Sequence, residues 1–444
     1  MYLFRDGFYA DVREEERTTT SVQYRDGAVE ECNTATVKKA FVRVYDGNMW
    51  YYASTYRTEE VQDVLDRLYN MATPCAGIAD DPVVKRLQAN TAVQLKFCNN
   101  CVNDVPVEKK RALVAGVYGA AKSQYLKTLL AAYSDRYSLY KFCSSKGADI
   151  TYDFQLCGYY VSAAMAEGEE NFSDIMLNSC DSFDKLSLTE EDVRAFISTM
   201  ENFLLEAKPV QAGVYPVILS PIVAGVFAHE SFGHKSESDF MLGDEKMKRE
   251  WALGKKVGSD ILSIYDSGLE EGSGYAPFDD EGTRARKTYL IKNGVLTGRL
   301  HSAATAADLG EEVTGNARAI SCMYEPIVRM TSTVIEAGST PKEELFSRIK
   351  HGYYIESYKH GSGMSTFTIA PCRAYEIVDG KVGKPVKIAV ISGNVFNTLN
   401  LIDGLSDRAE IISNIFGGCG KNEQFPLPVS FGGPYVSVSE MNVQ

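Results

Sequence analysis

The sequence predicts an α+β fold built from an N-terminal antiparallel sheet with helices and a C-terminal β-rich domain that carries one apolar helix. Two observations predict it. Strand-like alternation, broken by turn dipeptides such as Asn293-Gly294 and Asp379-Gly380, dominates both halves of the chain, whereas helical periodicity is confined to a few capped segments. Strands that follow one another through tight turns pair antiparallel, because parallel strands need long crossovers.

The first segments of the chain alternate as half-buried strands do. Residues 20–24 and 40–45 are two such runs, and the turn signals Arg25-Asp26-Gly27 and Asp46-Gly47-Asn48 follow them. A helix is then predicted from Thr58, a suitable N-cap that precedes two acidic residues. Apolar residues follow at helical spacing, at Val61, Val64, Leu65 and Leu68.

Further helices and strands complete the first half. We expect one helix over about residues 107–122 and strands within residues 137–165. Another helix is predicted over about residues 189–207, with Thr189 as its N-cap and acidic residues in its first turn. Pro209 ends that helix, since proline cannot continue it.

A boundary between two domains is predicted within residues 208–213, where proline and glycine separate a helix from an apolar strand. A chain of 444 residues suits two domains. We therefore predict an N-terminal α+β domain over residues 1–210 and a C-terminal β-rich domain over residues 211–444.

The second half opens with a short apolar strand over residues 215–219. Ser220-Pro221 then has the pattern of an N-cap followed by the first helical residue. Hairpin turns are expected at residues 292–295 and 378–381, and Thr340-Pro341-Lys342-Glu343 has the pattern of a capping box that starts another helix.

The overall charge excludes one class of partner. Lys and Arg number 46 and Asp and Glu number 59, so the net charge is −13. Because such a surface repels phosphate backbones, no nucleic acid partner is expected.

No apolar run reaches membrane-spanning length and no secretory signal opens the chain, so we expect no membrane association and a cytoplasmic location. The ten scattered cysteines are expected to be mostly reduced.

A pair of histidines on the apolar helix carries the chemistry. His229 and His234 are two of only five histidines, and Glu230 follows the first directly. Neutral imidazole is the commonest metal ligand, and a glutamate beside it lies where a general base can take a proton from water. The alternative is two unrelated histidines that happen to be near each other. The strand, cap and apolar helix that precede the pair favour a metal site, since they bury it.

The spacing of the pair has a structural consequence. Histidines four residues apart share one face of an α-helix, whereas His229 and His234 lie five apart and would diverge. They converge only if the helix contains an i→i+5 bulge or bends between them, and such bulges are frequent at functional sites. Gly233 would ease either distortion.

Zinc held by two histidines needs a third protein ligand and an open position for water. Glu237 lies one helical turn beyond His234, and Cys419 lies far along the chain among three glycines. The residues by themselves leave both alternatives open.

Several collinear motifs carry a family resemblance. They are Gly225-Val226-Phe227-Ala228-His229-Glu230-Ser231-Phe232-Gly233-His234, Glu237, Asp239, Asp279-Asp280-Glu281-Gly282-Thr283, Thr314-Gly315-Asn316-Ala317-Arg318, Arg329-Met330-Thr331-Ser332-Thr333, Gly380-Lys381, Lys384-Pro385-Val386-Lys387 and Gly418-Cys419-Gly420-Lys421. With them the sequence resembles the TldD/PmbA family of zinc metallopeptidases, closely over about residues 200–444. The first half is similar more faintly, through Tyr9-Ala10-Asp11-Val12.

The resemblance implies a set of site residues. TldD-like subunits carry H-E-x-x-x-H and a distal cysteine, whereas PmbA-like subunits lack the motif, so this chain resembles the catalytic kind. The resemblance implies that His229, His234 and Cys419 bind Zn²⁺ and that Glu230 is the catalytic base. Glu237 and Asp239 are further candidate site residues, which would lie either beside a metal ligand or on the substrate side of the site.

The resemblance also implies partners. It implies peptides or unfolded polypeptides as substrates, held as an added strand, and a homodimer or a heterodimer with a PmbA-like subunit. Two other functions remain as alternatives: a non-catalytic scaffold subunit with a structural metal, and a DNA-associated regulator, which the net charge of −13 disfavours.

Other polar features are given structural interpretations. Cys98 and Cys101 form a lone C-x-x-C pair without a second pair, so no metal or redox role is expected. A solvated turn is expected at Asp279-Asp280-Glu281. The three isolated histidines are expected at the surface or in ordinary hydrogen bonds, and they are His301, His351 and His360. Residues 360–365 are less glycine-rich than the family pattern, and the chain begins close to its first strand.

Overall fold

A computed structural model describes residues 2–444, and its first half is one antiparallel sheet with helices. The strands are β1 (Tyr9–Arg25), β2 (Ala28–Tyr45), β3 (Trp50–Thr55), β4 (Thr91–Gln94), β5 (Leu126–Ser144), β6 (Asp149–Glu167) and β7 (Glu170–Cys180). The helices are α1 (Val61–Met71), α2 (Pro82–Arg86), α3 (Val107–Ala115), α4 (Val117–Ala120) and α5 (Glu190–Glu206). The sheet order is β3-β2-β1-β5-β6-β4, with β7 also paired to β6. Only β4 runs parallel to its neighbour, so the predicted antiparallel sheet is confirmed.

The strands are much longer than the alternating segments suggested. β1 and β2 form a hairpin of 17 and 18 residues that contains the predicted segments 20–24 and 40–45. Asp26 and Gly27 adopt positive φ values of 47° and 89° at its turn, as a tight two-residue hairpin requires. Both strands contain long polar stretches, so the alternation of apolar and polar residues indicated only part of their length.

Two predicted helices in the first half differ from expectation, one in its start and one in its length, and a third agrees. α1 follows a 3₁₀ turn over Thr58–Glu60, so Thr58 opens that turn and caps nothing. The helix expected over residues 107–122 is two short helices, α3 and α4, because the chain bends at Gly116. α5 begins as predicted, since the Thr189 side chain accepts the N–H of Asp192 in a capping box.

The second half is β-rich. Its strands are β8 (Lys208–Pro209), β9 (Gly213–Leu219), β10 (Ile264–Asp266), β11 (Thr288–Lys292), β12 (Val295–Leu296), β13 (Ala317–Arg318), β14 (Ile327–Val328), β15 (Ser332–Ile335), β16 (His351–Ile355), β17 (Tyr358–Gly363), β18 (Thr366–Pro371), β19 (Ala374–Val378), β20 (Lys381–Lys387), β21 (Ile391–Asn394), β22 (Ile402–Leu405), β23 (Glu410–Ile412), β24 (Cys419–Lys421), β25 (Gln424–Leu427), β26 (Ser430–Gly433) and β27 (Val436–Val443). Its helices are α6 (Pro221–Ala228), α7 (Glu245–Glu250), α8 (Ala303–Leu309), α9 (Lys342–Ser347) and α10 (Val395–Asn400). These elements agree with the α+β class predicted from the sequence.

Two large sheets organise these strands. One has the order β17-β18-β21-β27-β9-β16-β19-β20-β8, with β22 on β27, and the other has the order β12-β11-β10-β15-β26-β23. Both predicted hairpins, at residues 292–295 and 378–381, are present with positive φ at their central residues. β8 precedes the predicted domain boundary but pairs with β20, and the division at residue 210 stays a prediction.

The helix α9 does not begin with a capping box. It starts at Lys342 with Pro341 at its N-cap, and no side chain caps it. The carbonyl of Thr340 instead accepts the backbone N–H of Asp407 at 3.0 Å. The predicted helix is therefore present, but Thr340 pairs with a distant segment and does not cap it.

Buried ion pairs join the two halves of the chain at Asp279-Asp280-Glu281, where the sequence predicted a solvated turn. Asp279 is 4% exposed and accepts backbone N–H groups, among them that of Thr283 at 2.8 Å. Burial and then the neighbouring Glu281 carboxylate raise the pKa of Asp279 well above its ordinary value. Glu281 lies 3.4 Å from Arg43 of β2, and Asp280 lies 3.1 Å from Arg13 of β1. The predicted solvated turn is therefore wrong, because these side chains meet cations from the other half of the chain.

Helix α6 is the element that positions the histidine pair. The Ser220 hydroxyl accepts the N–H of Val223, as the sequence predicts for an N-cap before Pro221. All residues of the helix except Ile222 are buried, and it contacts strands of both large sheets, including β26, β15 and β9. Every helix within residues 2–444 is too short or too polar to span a bilayer.

The close approach of α6 to β26 predicts the effect of one substitution. A Cβ atom on Gly225 would lie 2.6 Å from the backbone nitrogen of Gly432 and 2.7 Å from the Phe431 ring. We expect Gly225→Ala to lower the free energy of unfolding by about 1–3 kcal/mol in urea titrations, because the strand has to shift. Gly119→Ala in α4, where no atom lies within 4 Å of the added carbon, is the matched control and should be neutral or stabilising. An equal effect of both substitutions would contradict the close packing.

Candidate metal centre

The histidine pair lies on a π-helical turn that continues α6. The turn spans His229–Gly233, and the backbone N–H of His234 donates to the carbonyl of His229. Of the two distortions that the spacing of five residues allows, the structure has the i→i+5 bulge. The wider turn brings the two imidazole rings to a centroid distance of 5.0 Å with their planes at 76°.

Gly233 serves this turn for a different reason from the one expected. Its φ of −56° and ψ of −54° are ordinary right-handed helical values, so its conformational freedom is not used. A Cβ atom at this position would overlap the sulfur of Met330, which is fully buried. Gly233 therefore lets Met330 pack directly against the turn, and the expectation that it eases a backbone distortion is wrong.

Cys419 reaches the histidines from the other end of the domain. Its Sγ lies 3.4 Å from His234 Nε2, at the start of β24. One potential ligand atom from each of His229, His234 and Cys419 lies within 4.8 Å of the others. The structure thus brings together the three side chains that the family resemblance implies as metal ligands.

The electrostatics of the trio favour a charged thiolate. Burial acts against the thiolate, but His229 and then His234 outweigh it and lower the pKa of Cys419 to about 4. Burial likewise acts against the imidazolium, but Cys419 and Glu237 raise the pKa of His234 to about 10. The Cys419 thiolate and the His234 imidazolium therefore stabilise each other. A metal cation bound by the three side chains would replace the imidazolium proton as the positive charge beside the thiolate.

The donor set fits a zinc ion. His229 is 4% exposed, and its buried Nδ1 has no hydrogen-bond partner among the described residues. Two imidazoles and a thiolate are ligands that Zn²⁺ accepts readily. Buried polar atoms are normally paired, so an unpaired ring nitrogen within this buried group supports a role for His229 as a ligand.

Glu237 lies on the opposite side of the His234 ring from Cys419. Its Oε2 is 3.1 Å from His234 Nδ1, and its Oε1 accepts the backbone N–H of Met330 at 3.2 Å. Of the two side chains considered as a third ligand, Cys419 therefore faces Nε2 and Glu237 faces Nδ1. Asp239 contacts neither histidine ring, and its carboxylate binds Lys421 at 2.7 and 2.8 Å.

Glu230, which directly follows His229 in the chain, is half-buried and lies beside strand β17. Carbon atoms built on Gly361 and Gly363 would lie 3.4 Å from its Cγ and 2.8 Å from its carbonyl oxygen. Burial and then the Glu230 carboxylate raise the pKa of Tyr358, at the start of β17, to about 12. The candidate base thus faces a strand whose nearest positions have no side chains.

The loop before Cys419 is anchored to the first half of the chain. The backbone N–H of Ile415 donates to the Ser179 hydroxyl of β7 at 3.2 Å, and Phe416 packs edge-on against Tyr160 of β6 at 4.6 Å. Arg329, which is fully buried, donates to the Cys419 carbonyl at 2.7 Å. Sequence reasoning assigned no role to these residues, and only the motif that contains Arg329 gave any signal.

The remaining polar candidates lie apart from the trio. His301 is buried and bonds Glu311 at 2.9 Å, while His351 and His360 are exposed, so all three agree with their structural interpretation. No potential metal group within residues 2–444 includes Cys98 or Cys101.

Comparisons with known proteins identify the family of this chain. A family model described as the PmbA/TldA metallopeptidase C-terminal domain matches residues 212–444, and one described as PmbA/TldA metallopeptidase domain 1 matches residues 10–72. A metalloprotease of Synechocystis sp. is 31% identical over 98% of this chain and 94% of that protein. A zinc metalloprotease TldD homolog of Saccharolobus solfataricus is 36% identical over 54% of this chain and 53% of that protein.

The fold also resembles a solved structure, that of TldE from Thermococcus kodakarensis. The TM-score is 0.76 at 15% identity, and the likeness covers 98% of this chain and 96% of that chain. The sequence resemblance is confirmed by the domain model over residues 212–444 and by the 31% identical relative that spans nearly the whole chain. The protein belongs to the PmbA/TldD metallopeptidase family.

Proposed function

We propose that this protein is a zinc-dependent metallopeptidase in which His229, His234 and Cys419 hold the metal and Glu230 is the catalytic base. The meeting of two imidazoles and one thiolate within 4.8 Å, next to a half-buried glutamate, is the observation that carries the proposal. The family membership and the zinc metalloprotease name of the Saccharolobus relative support it.

Each residue has a role that follows from its position. Zinc, when bound, polarises the scissile carbonyl and lowers the pKa of the attacking water. Glu230 takes the proton from that water and later delivers it to the leaving amine. Glu237 accepts from His234 Nδ1 and so holds the ring with Nε2 toward Cys419, in the way carboxylates orient metal-binding histidines. Asp239 acts only through its contact with Lys421.

The strand beside Glu230 supports the proposed substrate class. β17 (Tyr358–Gly363) is the terminal strand of its sheet, so its outer backbone groups are free to pair with another extended chain. Gly361 and Gly363 let β17 approach the turn that carries Glu230, because a Cβ atom at either position would contact Glu230. A peptide or an unfolded polypeptide can add there as a further strand, since main-chain hydrogen bonds give affinity without requiring a folded substrate.

The alternative function, a scaffold subunit with a structural metal, has less support. Within residues 2–444, three protein ligands meet in the group, whereas structural zinc sites usually have four. We also propose that the protein acts in the cytoplasm as a dimer, either of this chain with itself or with a PmbA-like subunit, as its family membership implies. Neither choice of partner is favoured by a specific contact.

Substitution of the proposed base tests the catalytic role. We expect Glu230→Ala to keep about one zinc per chain and to cleave labelled casein about 10²–10⁴-fold more slowly than wild type, because the general base is lost but the ligands remain. Metal content is measured by mass spectrometry on the same samples. The exposed Glu440→Ala variant is the control and should match wild type. Equal cleavage by Glu230→Ala and wild type would exclude Glu230 as the base.

Removal of the thiolate tests the ligand set. We expect Cys419→Ala to lose most of its bound zinc during dialysis, because only two protein donors remain. Cys322→Ala removes another buried cysteine, 2% exposed, and should keep its zinc. If wild type holds no metal after zinc is supplied, the metallopeptidase proposal is wrong.

A further inference from the structure

Strand β24 presents two side chains to the candidate metal centre. In the order Cys419, Gly420, Lys421, the first and third residues are buried and the middle one is exposed. This alternation is the two-residue period of a β-strand, so Cys419 and Lys421 extend from the same face. Arg329 fixes the backbone of this strand through the Cys419 carbonyl.

The Lys421 ammonium is fully engaged. Its side chain is 4% exposed, and its Nζ lies 3.0 Å from Glu237 Oε2, 2.7 Å from Asp239 Oδ1 and 2.9 Å from the Val328 carbonyl. An ammonium has three N–H donors, and each has a partner here. These three partners therefore hold the Lys421 ammonium in one position.

Glu237 connects Lys421 to the histidine. The same Oε2 atom that faces Lys421 also faces His234 Nδ1 at 3.1 Å. His234 Nε2 lies 3.4 Å from Cys419 Sγ on the other edge of the ring. One strand face therefore touches both sides of His234, directly through Cys419 and indirectly through Lys421 and Glu237.

We propose that Lys421 is a positioning residue of the metal centre, which fixes the Glu237 carboxylate against His234 Nδ1 and thereby sets the direction of Nε2 relative to Cys419. This inference rests on the proposed function, since it assigns a role toward the metal that the trio would hold. It goes further because it couples the positions of two proposed ligands, Cys419 and His234. A shift of β24 moves Cys419 and the Lys421–Glu237 contact together, and Glu237 holds His234. Residues that hold a ligating histidine through its second nitrogen typically change metal affinity about 10–100-fold when they are removed.

Zinc affinity, measured by competition with a chromophoric chelator, tests the proposal in the full chain. We expect Lys421→Met to bind zinc about 10–100-fold more weakly than wild type. Lys110→Met is the matched control, since Lys110 is also 3% exposed and pairs with Asp135 at 2.6 Å in the first half of the chain. It should lower the thermal unfolding temperature of the metal-free protein but leave zinc affinity unchanged, which separates positioning from general stability.

A double-mutant cycle tests the route through Glu237. Glu237→Gln should also weaken zinc binding, and adding Lys421→Met to it should change affinity by no more than about twofold, because both substitutions break one chain of contacts. Should circular dichroism show Lys421→Met to be unfolded, Lys421→Gln replaces it with the same expectation. A folded variant with wild-type zinc affinity, or fully independent effects of the two substitutions, would overturn the positioning role. Absence of zinc binding by wild type would instead overturn the proposed function itself.

Discussion

The i→i+5 hydrogen bond between His229 and His234 is the constraint on which the site depends. On a regular α-helix, residues five apart point about 140° away from each other. The π turn adds room for one residue, so both rings face the same side. That turn must be buried and held on all sides, because a single i→i+5 turn is less favourable than the α-helix it interrupts. The contacts of Gly225 with β26 and of Gly233 with Met330 supply this close packing.

The turn by itself supplies two donors, and the third comes from a strand that distant contacts hold in place. Arg329 binds the carbonyl of Cys419, and Lys421 binds Glu237 two residues later. These cations and carboxylates are buried, so they lose hydration and add little to stability. Their hydrogen bonds nevertheless have defined directions, and a site that holds a metal needs its ligands in fixed directions more than it needs added stability.

The first half of the chain takes part in the site without contributing a candidate ligand. Ser179 and Tyr160, on β7 and β6, hold the loop that leads into Cys419. The pairs Arg13–Asp280 and Arg43–Glu281 join the same sheet to the second half. A change in how the two halves pack would therefore move the thiolate relative to the histidines.

The sequence by itself determined the features that depend on neighbouring residues. The Ser220 cap, the apolar helix behind it, the hairpin turns and the α+β class follow from local patterns, and the spacing of His229 and His234 anticipated the wide turn. The likeness of several motifs to a known family further indicated Cys419 as a third donor, where the residues by themselves left Glu237 equally open.

Tertiary contacts decided the rest, because they join residues that no local pattern relates. Thr340 caps no helix and its carbonyl pairs with Asp407. Asp280 and Glu281, the neighbours of buried Asp279, bind arginines from the first half. The placement of Cys419 and Glu237 on opposite edges of the His234 ring also depends on long-range packing. A sequence specifies which side chains can bind a metal, but only the packing of distant strands decides which of them meet.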